Sequence, residues 1–180
     1  MNTRQRIVLG IAIAVVAIGT RWLVATTYKT YNIPSDAMAP TIPAGTHVVA
    51  RLTQDVGRGD IIVFRYPLDP KVPFLKRIAA QSGDTIEIRD KRVFVNQREL
   101  TEPYAMHDDE MTYPRRADLP ETYRSRDQYG PYRVPPDSFF VLGDNRDRSA
   151  DSRYWGAVPH DNVLGRVIAT YSITGFHRVR

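Results

Sequence analysis

Cysteine is absent from the 180 residues. Its absence excludes disulfides, thiol nucleophiles and cysteine-bound zinc. Histidine is scarce: His47, His107, His160 and His177 are scattered and form no H-E-x-x-H. None sits in a usable His-Asp spacing, so a His-based triad has little support, and each histidine is read as structural or superficial. There is no glycine-rich phosphate loop, and neither a metal site nor a cofactor is expected. Charge of one sign is also lacking. The net charge is +5, but Arg and Asp are interleaved in "GDNRDRSADSR" and "YRSRDQYG". A phosphate-tracking face needs unbalanced positive charge, so nucleic acid is not expected as a partner.

Long apolar runs are missing too, with one exception. The segment Ile7 to Ala25, "IVLGIAIAVVAIGTRWLVA", would reach about 28 Å as a helix, close to the ~30 Å of a bilayer core. Arg21, near its end, can snorkel to an interface beside Trp22. Arg4, Arg6 and the terminal amine favour a cytoplasmic N-terminus, while Arg21 and Lys29 on the far side weaken that preference. A cleaved secretory signal is the competing reading, but "RWLVATTYKTY" extends the apolar stretch and offers no A-x-A site. A buried helix of a soluble domain is the third. The expected organisation is an N-terminal membrane anchor over residues 1–27 and one domain over 28–180.

Hydrophobic residues make up 42% and charged residues 25%, which suits a folded chain. After the anchor the pattern is that of strands. "HVVARL" and "DIIVFRY" are rich in β-branched and aromatic residues, with Gly57-Arg58-Gly59-Asp60 turning between them. "TIEIRDKRVFVNQREL" alternates as a hairpin does, Asp90-Lys91 supplying the turn. "DSFFVLGD" and "NVLGRVIATYSI" add two apolar strands, whereas 102–136 is Tyr-, Pro- and Arg-rich with little periodicity and reads as a long irregular excursion. With no convincing amphipathic helix beyond the anchor, the expected fold is mostly β.

Three stretches stand out: "IPSDAMAPT" (33–41), "FLKRIAAQSGDTI" (74–86) and "GDNRDRSADSRYWGAV" (143–158). In this order, behind an N-terminal anchor, they resemble bacterial signal peptidase I, a membrane-bound serine protease that removes signal peptides from exported proteins. The resemblance implies a catalytic domain of coiled antiparallel β-sheets tethered by one transmembrane helix, on the outer side of the bacterial cytoplasmic membrane. Its partners would be the bilayer and the signal peptides of secreted preproteins, with small residues such as alanine at two positions before the cut. No cofactor is implied. By the same resemblance the nucleophilic serine falls on Ala37, the general-base lysine on Lys76 and the oxyanion-hole serine on Ser35. The serine that orients the lysine falls on Ser149, and the supporting charged residues on Asp144, Asp151 and Arg153.

Physical chemistry agrees with the lysine's role. A lysine serves as a base only if its pKa falls from about 10.4 toward neutrality, which burial can bring about. Strand alternation in "VPFLKRI" puts Phe74 and Ile78 on the face of Lys76 and Arg77 on the other. Without the other two stretches, Lys76 would read as a surface lysine, Ser35 as a turn serine and Ser149 as a loop-capping residue. Asp144, Arg146, Asp147, Asp151 and Arg153 read as a salt-bridge and turn network, and Trp155 as a core or interface aromatic. Met38, Ile42 and Phe74 are expected to be exposed where the domain meets the membrane.

Ala37 is the departure, a methyl group where the reaction needs an oxygen. Ser35, two residues away, cannot reach the same point. With Ser35, Lys76 and Ser149 all present, the pattern fits one recent or deliberate Ser→Ala change that stops turnover. A natural, non-catalytic membrane-anchored protein that binds signal peptides is the alternative. Two smaller departures are Asp36, where the family often has glycine, and "AAQSGD", which leaves the local turn in doubt.

Overall fold

A 25-residue helix, α1 (Thr3–Thr27), leads without a loop into a strand, β1 (Tyr28–Asn32). The structure, a computed structural model, describes residues 2–172 and 175–178, leaving aside the side chains at 4, 7, 8, 10 and 121. Asn2 and Gln5 close a capping box at the start of α1, each side chain taking the other's backbone N–H at 2.9 Å. Apolar residues surround the helix, and its nine large ones from Leu9 to Val24 are 49–68% exposed. Among the described residues no helix is long and apolar enough to cross a membrane.

The rest is antiparallel β structure. The strands are β2 (His47–Arg51), β3 (Ile61–Tyr66), β4 (Asp69–Gln81), β5 (Thr85–Arg89), β6 (Arg92–Val95), β7 (Arg98–Glu99), β8 (Tyr129–Arg133), β9 (Ser138–Leu142), β10 (Val158–Pro159), β11 (Val163–Ser172) and β12 (Gly175–Arg178). Single helical turns, α2 (Glu121–Arg124) and α3 (Ser152–Trp155), complete the elements that bear on the site. An eight-stranded sheet runs β1-β2-β11-β3-β4-β9-β10, with β12 paired to β11; a four-stranded sheet runs β7-β6-β5-β8. The expected mostly-β, antiparallel fold is what the chain adopts.

Burial explains the strand sequences. In β3, Ile61 and Val63 join a core with Met38, Ile42, Val48 and Leu75, while Ile62 and Phe64 join another with Ile78 and Val141. A strand buried on both faces reads as a continuous apolar run, which is what "IIVF" is. The β5–β6 hairpin turns through Asp90 and Lys91, both at positive φ (48° and 67°), as a two-residue turn of this type requires. The doubtful turn after β4 also forms: Gly83 takes a φ of 82°, and Asp84 accepts the Gln81 N–H at 2.9 Å.

The excursion is less irregular than expected. Within 102–136 lie α2 and β8, and β8 pairs with β5 to complete the second sheet. Farther upstream, Met106 donates its N–H to Asp144 at 2.7 Å and accepts one from Arg146 at 2.9 Å. The excursion therefore buttresses the loop after β9.

Candidate active site

Residues 33–46 form a loop locked by its own backbone. Ile33 N–H donates to Thr46 at 2.9 Å, Gly45 N–H to Ile33 and Ile42 N–H to Met38, each at 2.8 Å. Asp36, in place of glycine, accepts the Ala44 N–H at 2.9 Å. Met38 and Ile42 point inward at 2% and 0% exposure, so the expectation that they face a membrane is wrong. Apolar character beside the site does not distinguish a membrane-facing residue from a core one, and the core of the larger sheet took both. Phe74 is half-buried and packs against Tyr66 (4.3 Å between ring centres) and Trp155 (5.6 Å).

Beside this loop a cavity of about 480 Å³ opens, and Ser35, Ala37 and Lys76 all line it. Met38, Val63 and Phe74 make its wall largely apolar. Two strand edges unpaired among the described residues flank the cavity: β1 pairs there only with β2, and the β4 stretch before Arg77 only with β3. Ser35 is exposed and makes no hydrogen bond among the described residues. Ala37 is buried, and its carbonyl accepts the Asn145 N–H at 3.2 Å.

Lys76 is buried, its amine makes no hydrogen bond among the described residues, and that amine lies 5.8 Å from the centre of the Phe74 ring. Burial in this apolar wall penalises the ammonium form and brings the pKa down to about 8. Asp151 and Asp144 pull upward and Arg153 downward, each less strongly than burial acts. Arg77, its neighbour on the opposite face, is buried as well. It grips Asp144 through two hydrogen bonds of 2.9 and 2.7 Å and lies 3.9 Å from the Tyr104 ring centre. Thr41 donates to the same carboxylate at 2.5 Å. Asp144 thus joins β4, the 33–46 loop and the loop after β9.

The third stretch packs behind Ala37 and does not line this cavity, and Ser149 faces a separate one beside Thr122, Arg148 and Tyr154. Gly143 lies so close to its neighbours that a Cβ there would stand 2.2 Å from Ser149 Oγ and 2.5 Å from the Ala37 carbonyl oxygen. Ser149 Oγ is buried without a well-directed hydrogen bond, although it lies near enough to Asp151 to help keep that carboxylate ionised. Asp151 is fully buried, which opposes its charge. Arg153 outweighs burial with hydrogen bonds of 2.8 Å to each oxygen, and the carboxyl pKa is held below its ordinary value. Arg153 also donates to the carbonyls of Arg126, Arg146 and Ser149 at 2.8, 2.6 and 3.3 Å.

This network was anticipated within the third stretch, but most of its partners lie outside it. Arg146 pairs with Glu102 at 2.7 and 2.9 Å, and Asp147 with Lys91 at 3.3 Å and Arg126 at 3.5 Å. Glu102 and Tyr104 carried no signal in the sequence, because their arginine partners, Arg146 and Arg77, lie far along the chain. Replacing Arg153 by Met would strand a buried carboxylate and three carbonyls. We expect it to cost about 3–5 kcal/mol, the loss typical of breaking a buried pair. Chemical denaturation of the full chain in detergent measures it, and a loss below about 1 kcal/mol would show the pair to be dispensable.

Residues 4–172 match the family model described as signal peptidase, peptidase S26. The chain is 35% identical to signal peptidase I of Leptolyngbya laminosa, over 87% of this chain and 73% of that protein. It is 31% identical to signal peptidase I of Pseudomonas fluorescens, over 78% of this chain and 63% of that protein. A crystal structure of a signal peptidase I from Enterococcus faecalis is 33% identical, covering 62% of this chain and 96% of that one, with a TM-score of 0.47.

Proposed function

The chain belongs to the signal peptidase family, peptidase S26, and from that membership we propose that its site is built to remove signal peptides from preproteins with a serine and a lysine, Ala37 standing where the serine would be. One observation carries the proposal. Ser35, Ala37 and a buried Lys76 with its pKa near 8 line one cavity. A buried lysine with no ion-pair partner among the described residues costs stability and needs a purpose.

In the working form, the neutral Lys76 amine takes the proton of a serine hydroxyl at position 37 as that oxygen attacks the scissile carbonyl. Ser35 donates a hydrogen bond to the oxyanion. Ser149 is the residue that orients the amine. Asp144, Asp151 and Arg153 fix the loop packed behind residue 37 and touch no substrate. The unpaired edges of β1 and β4 receive the substrate in extended form, with main-chain hydrogen bonds for affinity and the apolar wall for selecting small side chains.

The helix α1 serves as a single-pass anchor, with residues 28–180 on the outer face of the cytoplasmic membrane. An apolar surface all round, exposed along its length, is what a lipid-facing helix presents. A second reading, a protein that binds signal peptides without cutting them, is favoured by Ala37 alone. Both readings require binding. The chain as written is expected to hold a fluorescent signal peptide with alanines before the cut and to release it intact, and to discriminate against one with leucines there. Equal affinity for both peptides in a polarisation assay would count against the cavity as the substrate site.

A further inference from the structure

Where the end of α1 joins the larger sheet, the two do not close on each other. Arg21, Val24 and Ala25 of the helix and Tyr28, Val49 and Ile168 of the sheet line a groove of about 730 Å³, within the size range of ligand sites. The sheet side is the face turned away from the core: Val48 and Ala50 are fully buried inward, and Val49 between them lies outward, half-exposed.

Cations gather at the same place. Arg51 follows Val49 by two residues, so it shares that face about 7 Å along the strand, and it stands opposite Tyr28 in the register. Arg166 lies opposite Arg51 on β11, its one ion pair being with Asp60 at 3.7 Å. Arg21 and Arg51 have no acidic partner among the described residues. Apolar walls with unpaired guanidinium groups at the rim are complementary to a molecule with hydrocarbon chains and a phosphate.

We propose that this groove binds an anionic phospholipid, its phosphate between Arg21 and Arg51 and an acyl chain against Val24, Val49 and Ile168. The proposal rests on the reading of α1 as a membrane anchor. Arg21 precedes the helix end at Thr27 by six residues, or about 9 Å of rise. That depth matches the headgroup–acyl boundary, where interfacial apolar groups bury by about 5–10 Å. A peptide or a second copy of the chain would need acids to meet the two arginines, and a zwitterionic lipid would bring a compensating charge of its own. Guanidinium groups suit a phosphate because their paired N–H donors match its oxygens.

The test uses the full chain in nanodiscs of phosphatidylcholine with a minor share of phosphatidylglycerol, the lipids retained being read by native mass spectrometry. Retained lipid should be enriched in phosphatidylglycerol roughly five- to thirtyfold over its bulk share, the factor that one or two cations at a membrane surface supply. The double variant Arg21→Gln/Arg51→Gln should return to the bulk share. The charge-matched Arg89→Gln/Arg98→Gln, on the smaller sheet, should keep the enrichment. An inserted chain without enrichment, enrichment that survives the first pair, or enrichment lost equally in both pairs would overturn the site. Alkaline extraction reads the anchor separately: a chain released by alkali overturns the anchor and the lipid site together.

Discussion

Ala37→Ser is expected to turn the chain into an active endopeptidase, raising preprotein cleavage by about 10⁶-fold, the factor lost when another serine protease loses its nucleophile. The gain should be that large because the surroundings are already in place. The carbonyl of residue 37 is held by Asn145, and the loop that carries it closes through backbone bonds from Ile33, Ile42 and Gly45. The position lies on the cavity wall, so one added oxygen overpacks nothing severely. It would find an amine with no hydrogen-bond partner among the described residues. Ser35→Ala in the restored background should lower the rate by about 10²–10³-fold while sparing substrate binding, as removal of an oxyanion donor does elsewhere. If Ala37→Ser folds, binds the signal peptide and cuts nothing, the enzyme reading fails and the binding-protein reading stands.

How much of this was legible in the sequence differs from element to element. The β5–β6 hairpin was visible because alternation and a two-residue turn are local signals, and β3 because a strand buried on both faces reads as an apolar run. β8 was hidden. Its sequence, Tyr129-Gly-Pro-Tyr-Arg, contains the residues that argue against a strand. The reason for the glycine is tertiary: Gly130 sits at φ 83°, and a Cβ there would meet the Ile86 carbonyl oxygen at 2.6 Å. Arg77 was assigned correctly to the face opposite Lys76, but strand alternation alone could not say that this face is buried too. Its partner Asp144 lies 67 residues away. For the same reason Met38 and Ile42, apolar beside a candidate site, were mistaken for a membrane-facing patch when they belong to the core. The chemistry-bearing types were readable because they occur as short local patterns. The groups that hold them were not, since each is a long-range pair.

Lys76 is expected to be both the source of activity and a burden on the fold. In the Ala37→Ser background, kcat/KM should climb with pH and reach half its plateau near pH 8, where the buried amine loses its proton. Lys76→Ala should remove activity altogether, because among the described residues no other amine or imidazole lines the cavity. Stability runs the other way. The folded pKa lies below the unfolded one, so between about pH 8 and about pH 10.5 the unfolded chain binds the extra proton, and stability rises with pH through that window. Below pH 8 both states carry the charge and the folded state bears the net penalty of burying it, about 3 kcal/mol at 1.36 kcal/mol per pKa unit. Lys76→Met, similar in reach and apolar, should therefore stabilise the chain by up to about that amount at pH 7, and by progressively less above pH 8. Denaturation midpoints at pH 7 and pH 10 measure the difference, and the pH–rate profile measures the titration. A flat profile from about pH 6 to about pH 9, or a Lys76→Met chain less stable than its parent at pH 7, would mean that the lysine is not buried as a base. Both results together require one group that is charged at a cost below pH 8 and useful only above it, which is what a lysine poised as a general base must be.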